Sequence, residues 1–446
     1  MKKKIAIIGA GISGLSLAYY LKKAAVDFTL FEQSSHIGGV IKSHKNKGFI
    51  YESGPNTGTL SNIETVELFE DISNDFQLIL ADEAAKKRLI LKDNHWHALP
   101  SGPISGIKTP LFSLSDKLKL LTEPFIKKGD NPMESIADIV KRRMGESFLD
   151  YAIDPFISGI YAGDPNTLVT KYALPKLYQL EQNYGSFIGG AIKKSKEPKS
   201  EREKKVSKKI FSAQNGLSDI VNALVTNIGI EHIKLNSTIK VKRNPNGEYR
   251  IGENNYTHII STVNAKELSA IFPFLKSTQL AKIENLNYAK VAEIALGFDK
   301  WEGMDINAFG GLIPSKENKH ILGILFMSSL FKGRAPKNGA LISCFVGGTK
   351  NKDLVDIGKD ELMEIVKPEV ELLLGIKQFN PSITEVFYHN NAIAQYESST
   401  EDRLLSISTL EKEYPNIYMA GSIRDGVGMA DRIKQAKDIA ETIIEA

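Results

Sequence analysis

Lys4 to Ile8 is a short, mostly β-branched apolar run, the pattern of a strand buried on both faces. Leu15 to Lys23 carries helix formers, and Phe28 to Phe31 is a second apolar run that stops at Glu32. Near the other end, Asn416 to Gly421 reads as a strand closing in glycine. Ser422 to Gly428 is a polar turn, and Met429 through Thr442 reads as a helix. In the middle, Phe211 to Leu217 opens a helix, Lys234 to Val241 and Ile259 to Thr262 read as strands, and Asp360 to Leu374 as a helix. Residues from about 85 to 205 are rich in helix formers. There Ile104, Ile107, Leu111, Phe112, Leu114, Leu118, Leu121, Phe125 and Ile126 are interleaved with Lys108, Lys117, Lys119, Lys127 and Lys128. That mixture suits a bilayer interface and an inward-packing helix pair equally well. No window of about 18 uninterrupted apolar residues exists, so no transmembrane helix is predicted.

The first strand runs directly into Gly9-Ala10-Gly11-Ile12-Ser13-Gly14. A basic start followed by an apolar run could pass for a secretory signal. The glycines, the pair Lys22 and Lys23, and the strand that follows argue instead for a strand, turn and helix. In that context Gly11 lets the backbone approach a pyrophosphate at a helix amino terminus, and Gly14 lets helix and strand pack closely. Glu32, 18 residues after Gly14, is placed to accept hydrogen bonds from ribose hydroxyls. This is a dinucleotide site, and NAD and FAD share it. The next residues separate the two: Gln33 and then Gly38-Gly39-Val40, followed by Gly54-Pro55-Asn56-Thr57.

With that second glycine element the chain resembles the FAD-binding amine-oxidase superfamily. The resemblance implies that the double glycine lies along FAD and that Gly421, Val427, Gly428 and Met429 close over the flavin end. It also implies that Ile239 meets the adenine. Phe156-Ile157-Ser158-Gly159-Ile160-Tyr161-Ala162-Gly163-Asp164-Pro165 narrows the likeness to porphyrinogen oxidases, as do Leu174-Pro175-Lys176-Leu177-Tyr178, Gly311-Leu312-Ile313-Pro314 and Cys344-Phe345-Val346-Gly347-Gly348. The expected fold is α/β. A discontinuous Rossmann-like FAD domain takes residues 1–70, 206–268 and 411–446, and a mixed-sheet substrate domain takes 71–84 and 269–410. An inserted helical, membrane-facing domain takes 85–205. The implied reaction is oxygen-dependent oxidation of protoporphyrinogen IX, six electrons in all, with hydrogen peroxide as by-product. Coproporphyrinogen III is the nearest alternative substrate. By resemblance Leu312, Leu325 and Phe345 sandwich the macrocycle, Arg88 pairs with a propionate, and the backbone of Gly159 approaches the substrate. Cys344 lies outside the carboxyl-terminal flavin block, where covalent members attach their cofactor, so FAD is expected to be noncovalent.

Composition bounds the alternatives. The chain has 446 residues, 57 Lys plus Arg against 53 Asp plus Glu, and one cysteine. Lys193 to Lys209 holds nine cations and three anions, so its balance of +6 exceeds the total of +4 and leaves −2 for the rest. Such a local run is not a nucleic-acid surface. It reads as a flexible loop or as a cationic patch beside lipid headgroups. A lone cysteine permits no intrachain disulfide and fits a reducing, cytoplasmic setting. His95 and His97 share one strand face without further ligands, so no metal is expected. No catalytic base stands out, and the oligomeric state is not legible. Two further classes are another amine-oxidase-superfamily flavoenzyme and a non-catalytic FAD scaffold. The segment 158–165 argues against the first, and the intact glycines and Glu32 argue against the second.

Overall fold

The computed structural model describes residues 3–198 and 200–445. A five-stranded parallel sheet forms the expected nucleotide half, in the order Ile233–Lys234, Asp27–Phe31, Lys4–Ile8, His258–Ser261, Ile417–Met419. Strand alternation divides the first strand between two cores. Ile5 and Ile7 face the helices Ile12–Lys23, Ser218–Ile228 and Met429–Glu445, where Leu15, Leu224 and Ile433 pack. Ala6 and Ile8 point into a core shared with the helical region. Three separated stretches of sequence build this one sheet.

Two local expectations are corrected. The expected strand from Lys234 to Val241 pairs only over Ile233–Lys234. Asn236 then takes a left-handed φ of 52°, and the next amides bond to the loop after the second strand, Asn236 N to Ser34 O and Ser237 N to Glu32 O. Phe211 lies within the strand Ile210–Ala213, which pairs with Gly58–Thr59 and Leu78–Leu80, and the helix begins only at Ser218. Leu78–Leu80 thus sits beside the nucleotide half.

A seven-stranded mixed sheet runs in the order Ile383–Ala394, Tyr288–Phe298, Ala340–Gly347, Ile321–Leu325, Gly310–Leu312, Arg88–Lys92, His95–Ala98. The last two strands lie at the start of the span expected to be helical. One face carries Ile294, Ile324, Ile342 and Cys344, packed on Leu362, Val366 and Val370 of the helix Lys359–Leu374. The other face turns toward the nucleotide half.

Helices follow between Pro103 and Lys204. At their centre Arg143, fully buried, donates to Glu123 Oε1 at 2.5 Å, Glu181 Oε1 at 2.6 Å and Gly185 O at 2.7 Å. Glu123 also accepts from Ser186 Oγ and from the amides of Phe187 and Ile188. Buried charges are tolerated only when paired and bonded in this way. Leu111 and Phe112 pack inward, Phe112 stacking on Phe148 at 4.0 Å. Ile104, Ile107, Leu114, Leu118, Leu121 and Phe125 are exposed, Phe125 by 88%. Among the described residues no helix is long and apolar enough to cross a membrane.

The basic run, expected as a flexible loop, holds the short helix Glu201–Lys204 and touches the nucleotide half through two of its cations. Arg202, in the short helix Glu201–Lys204, grips Glu67 through Nε at 2.5 Å and Nη2 at 2.7 Å, and Lys205 bonds Glu70 at 2.7 Å. Both acids belong to the helix Ile63–Asp71 of the nucleotide half. Lys199, within the run, lies outside the described residues.

Candidate functional site

The amino-terminal loop supplies the first part of the site. A β-carbon on Gly14 would come 2.0 Å from Gly9 O, so only glycine lets this helix sit on its strand. A β-carbon on Gly11 would meet nothing within 4 Å, so open space lies above the first turn of Ile12–Lys23. Ser13 is buried beneath that turn. Free amides at a helix start, facing open space, suit a phosphate.

Glu32 closes the second strand and is half-buried. Its carboxylate accepts from Ala10 N at 2.8 Å and from Ser34 N and Oγ, each at 2.9 Å. Oε1 takes both Ser34 bonds, so Oε2, which accepts only from Ala10, keeps a lone pair for a ribose hydroxyl. Gln33 is exposed beside it. Gly38 N donates to Ala10 O at 2.9 Å, which brings Gly38, Gly39 and the exposed Val40 alongside Gly11. Gly54 passes beneath Val40, where a β-carbon would lie 2.1 Å from Val40 O. Pro55 and Thr57 are half-buried and Asn56 is buried. Ile239, half-buried, follows the shortened strand and packs on the shared core.

The carboxyl-terminal block meets these segments. Gly421 follows Ile417–Met419 and donates its N–H to Gln435 Oε1 at 2.7 Å. Val427 and Gly428 form the turn into Met429–Glu445, and Gly428 N donates to Asp431 Oδ2 at 3.2 Å. Met429 reaches the segment after Thr57, where a β-carbon on Gly58 would stand 2.7 Å from Met429 Cε. Asn62 Nδ2 donates to Ala430 O at 2.7 Å.

The register of the large sheet gathers the candidate substrate residues. Ile90, Leu312, Gly323, Phe345, Glu293 and Phe387 pair in one row across six strands. The adjacent row on the same face holds Arg88, Gly310, Leu325, Ser343 and Ala295. Residues two apart in a strand point the same way, so Arg88, Leu312, Leu325 and Phe345 share the face opposite the helix-packed core. Arg88 is exposed at the end of its row, its guanidinium 5.3 Å from the centre of the Phe309 ring. Gly159, in the helix Asp154–Ile160, lies against Leu312. The polar groups around it bond within the fold: Asp154 accepts from Ser315 N and Oγ, and the Tyr161 hydroxyl donates to Ala173 O.

Sequence reasoning missed the polar link between the halves. Asn56 Nδ2 donates to Glu293 Oε1 at 2.6 Å, and Ser343 Oγ donates to Asn56 Oδ1 at 2.8 Å. Glu293 is 1% exposed, and burial holds its pKa well above 4.5. Its signal in the sequence was a single carboxyl inside the apolar run Tyr288–Phe298. Glu52, equally buried, is pushed up to about 7 by burial, although Ser43 Oγ and Leu217 N bond to it. Cys344 faces the opposite core, where burial raises its thiol pKa. The glycine loop, the open space above it and Glu32 fit a dinucleotide flavin.

The flavin containing amine oxidoreductase family matches residues 12–444. Protoporphyrinogen oxidase 2, chloroplastic/mitochondrial, of Arabidopsis thaliana is 30% identical, the match covering 99% of this chain and 94% of that protein. Coproporphyrinogen III oxidase of Bacillus subtilis is 26% identical over 98% of this chain and 97% of its own. A crystal structure from Exiguobacterium sp. 255-15 superposes with a TM-score of 0.83 at 23% identity, covering 100% of this chain and 99% of that one, a likeness of fold.

Proposed function

The chain belongs to the flavin-containing amine oxidoreductase family, and on that premise we propose that it is an FAD-dependent, oxygen-using oxidase of protoporphyrinogen IX in heme biosynthesis. One observation carries the reading. A single sheet face bears Arg88, Leu312, Leu325 and Phe345, and the segment expected along the cofactor is tied to that face through Asn56. The loop Gly9–Gly14 would receive the pyrophosphate, Glu32 the ribose, and residues 38–40, 54–57 and 421–429 the flavin half. The lone cysteine faces the other core, which supports noncovalent binding.

Bound FAD supplies a two-electron acceptor that oxygen recycles to hydrogen peroxide, three times for each macrocycle. The protein's own task is to hold a flat apolar ring in one pose and keep water from it. Leu312, Leu325 and Phe345 offer apolar surface for the ring. Arg88 presents a planar fork that binds a propionate carboxylate bidentately. The missing side chain of Gly159 leaves the room that Leu312 fills, so its backbone would meet the ring edge alongside Leu312.

Coproporphyrinogen III is the second reading, favoured by the Bacillus subtilis relative and its nearly complete coverage. Both substrates need the same apolar face and differ in the number of carboxylates. The exposed apolar side chains of residues 104–125, with Lys108, Lys117 and Lys119 among them, support peripheral seating on an anionic bilayer from the cytoplasmic side. The test is to purify the protein, record its visible spectrum, and follow porphyrin fluorescence from each porphyrinogen separately. A flavin spectrum and fluorescence from protoporphyrinogen are expected. A colourless protein, or a flavoprotein inactive on both, overturns the reading.

A further inference from the structure

We propose that Glu293 is a positioning residue that locks the carboxamide of Asn56 in one orientation at the junction of cofactor segment and substrate sheet. The proposal rests on the flavoenzyme reading above. Glu293 is the one acid in the strand Tyr288–Phe298, and it pairs in register with Phe345 on one side and Phe387 on the other. Among the described residues no cation pairs with it. The charge of Glu52 opposes the ionisation of Glu293, and His389, whose neutral form burial favours, lies on the adjacent strand. Burial disfavours the charged form of a carboxyl so placed, and it acts on its neighbour through a hydrogen bond.

The neighbour is fully committed. Both hydrogens of Asn56 Nδ2 are used, one on Glu293 Oε1 at 2.6 Å and one on Gly54 O at 3.1 Å. A backbone carbonyl can only accept, so the nitrogen side of the amide is unambiguous. Asn56 Oδ1 accepts from Ser343 Oγ at 2.8 Å. Two strands of the substrate sheet therefore clamp one side chain of the segment that would lie along the flavin. Losing the Glu293 acceptor strands a buried N–H donor and frees the amide to turn.

The experiment uses the flavin-loaded full chain. Glu293→Leu keeps bulk and removes the acceptor. It should shift the visible flavin band and lower kcat roughly tenfold, with KM within about twofold. Glu293→Gln keeps a neutral acceptor and should restore the parent band and most of the lost rate. Ser343→Ala, which cuts the other tether, should shift the band in the same sense, and adding it to Glu293→Leu should do little more. If Glu293→Leu fails to fold, Ser343→Ala and Glu293→Gln decide alone. An unmoved band in Ser343→Ala or Glu293→Leu, or Glu293→Gln behaving like Glu293→Leu, overturns the assignment. A parent that binds flavin but oxidises neither porphyrinogen refutes the substrate reading and leaves the spectral result decisive. A parent that takes up no flavin overturns both.

Discussion

A β-carbon added to Gly159 would stand 2.4 Å from Cδ2 of Leu312. The helix carrying Gly159 and the strand carrying Leu312 therefore meet with no room to spare, at a point where both are expected to touch substrate. Gly159→Ala should push the Leu312 side chain out of its rotamer and raise KM several-fold with unchanged flavin content. Leu312→Ala in the same chain should relieve the clash, so the double variant binds substrate better than the sum of the single effects predicts. Additive losses in steady-state kinetics would show that the contact does not shape the pocket.

Arg88 makes no ion pair among the described residues and rests on Phe309. Arg88→Ala should raise KM by tenfold or more, the loss of a charge-assisted bond to a carboxylate, and leave flavin content intact. Arg88→Lys should fall between, because an ammonium cannot make the bidentate contact. Titration with porphyrinogen under steady-state conditions separates these outcomes. Loss of flavin in Arg88→Ala would refute the assigned role.

Glu52 gives a pH-dependent signature. Below about pH 4.5 both folded and unfolded chains hold its proton. As pH rises toward about 7 the unfolded chain sheds the proton while the folded chain keeps it, so stability falls across that window. Glu52→Gln should flatten this slope and stabilise the protein above pH 7 by on the order of 3 kcal/mol. Thermal melts of both proteins from pH 4.5 to 8 check the prediction. Parallel melting curves across the range would contradict it.

The apolar side chains of residues 114–125 give a surface prediction. Leu118→Ser, Leu121→Ser and Phe125→Ser together should reduce binding to vesicles of anionic phospholipid at least tenfold, since each loses roughly 1.5–3 kcal/mol of transferable apolar surface. Turnover in detergent should be unaffected. Co-sedimentation with vesicles measures the first effect, and equal sedimentation of both proteins would show that these residues do not seat the protein on a bilayer.

The glycine loop and Glu32 were legible because their chemistry is local: six consecutive residues and one acid at a fixed distance. The residues expected to meet substrate could be named one by one, but not as members of one sheet face. Arg88 joins Leu325 and Phe345 only through pairing with Gly310, more than 200 positions away, and no local period encodes that register. The strand at Lys234 was overextended because Asn236, an ordinary polar residue by pattern, turns the chain out of the ladder. Leu111 and Phe112 could not be told from Leu114 and Leu118, since burial there depends on Phe148. The basic run looked unpartnered because its acids, Glu67 and Glu70, lie about 135 positions earlier.

The parallel nucleotide sheet takes its edge strand from residues 417–419, and the helix Met429–Glu445 packs on Ile12–Lys23. Lys3 Nζ bonds Ile443 O at 2.6 Å, so residues 440 positions apart are fastened together. During synthesis Leu15, Leu17 and Leu21 thus gain part of their cover from Ser218–Ile228 and the rest only when a helix more than 400 positions later has been made. A chain cut before Met429 would leave the glycine-loop helix bare on that side, with an apolar stripe open to aggregation.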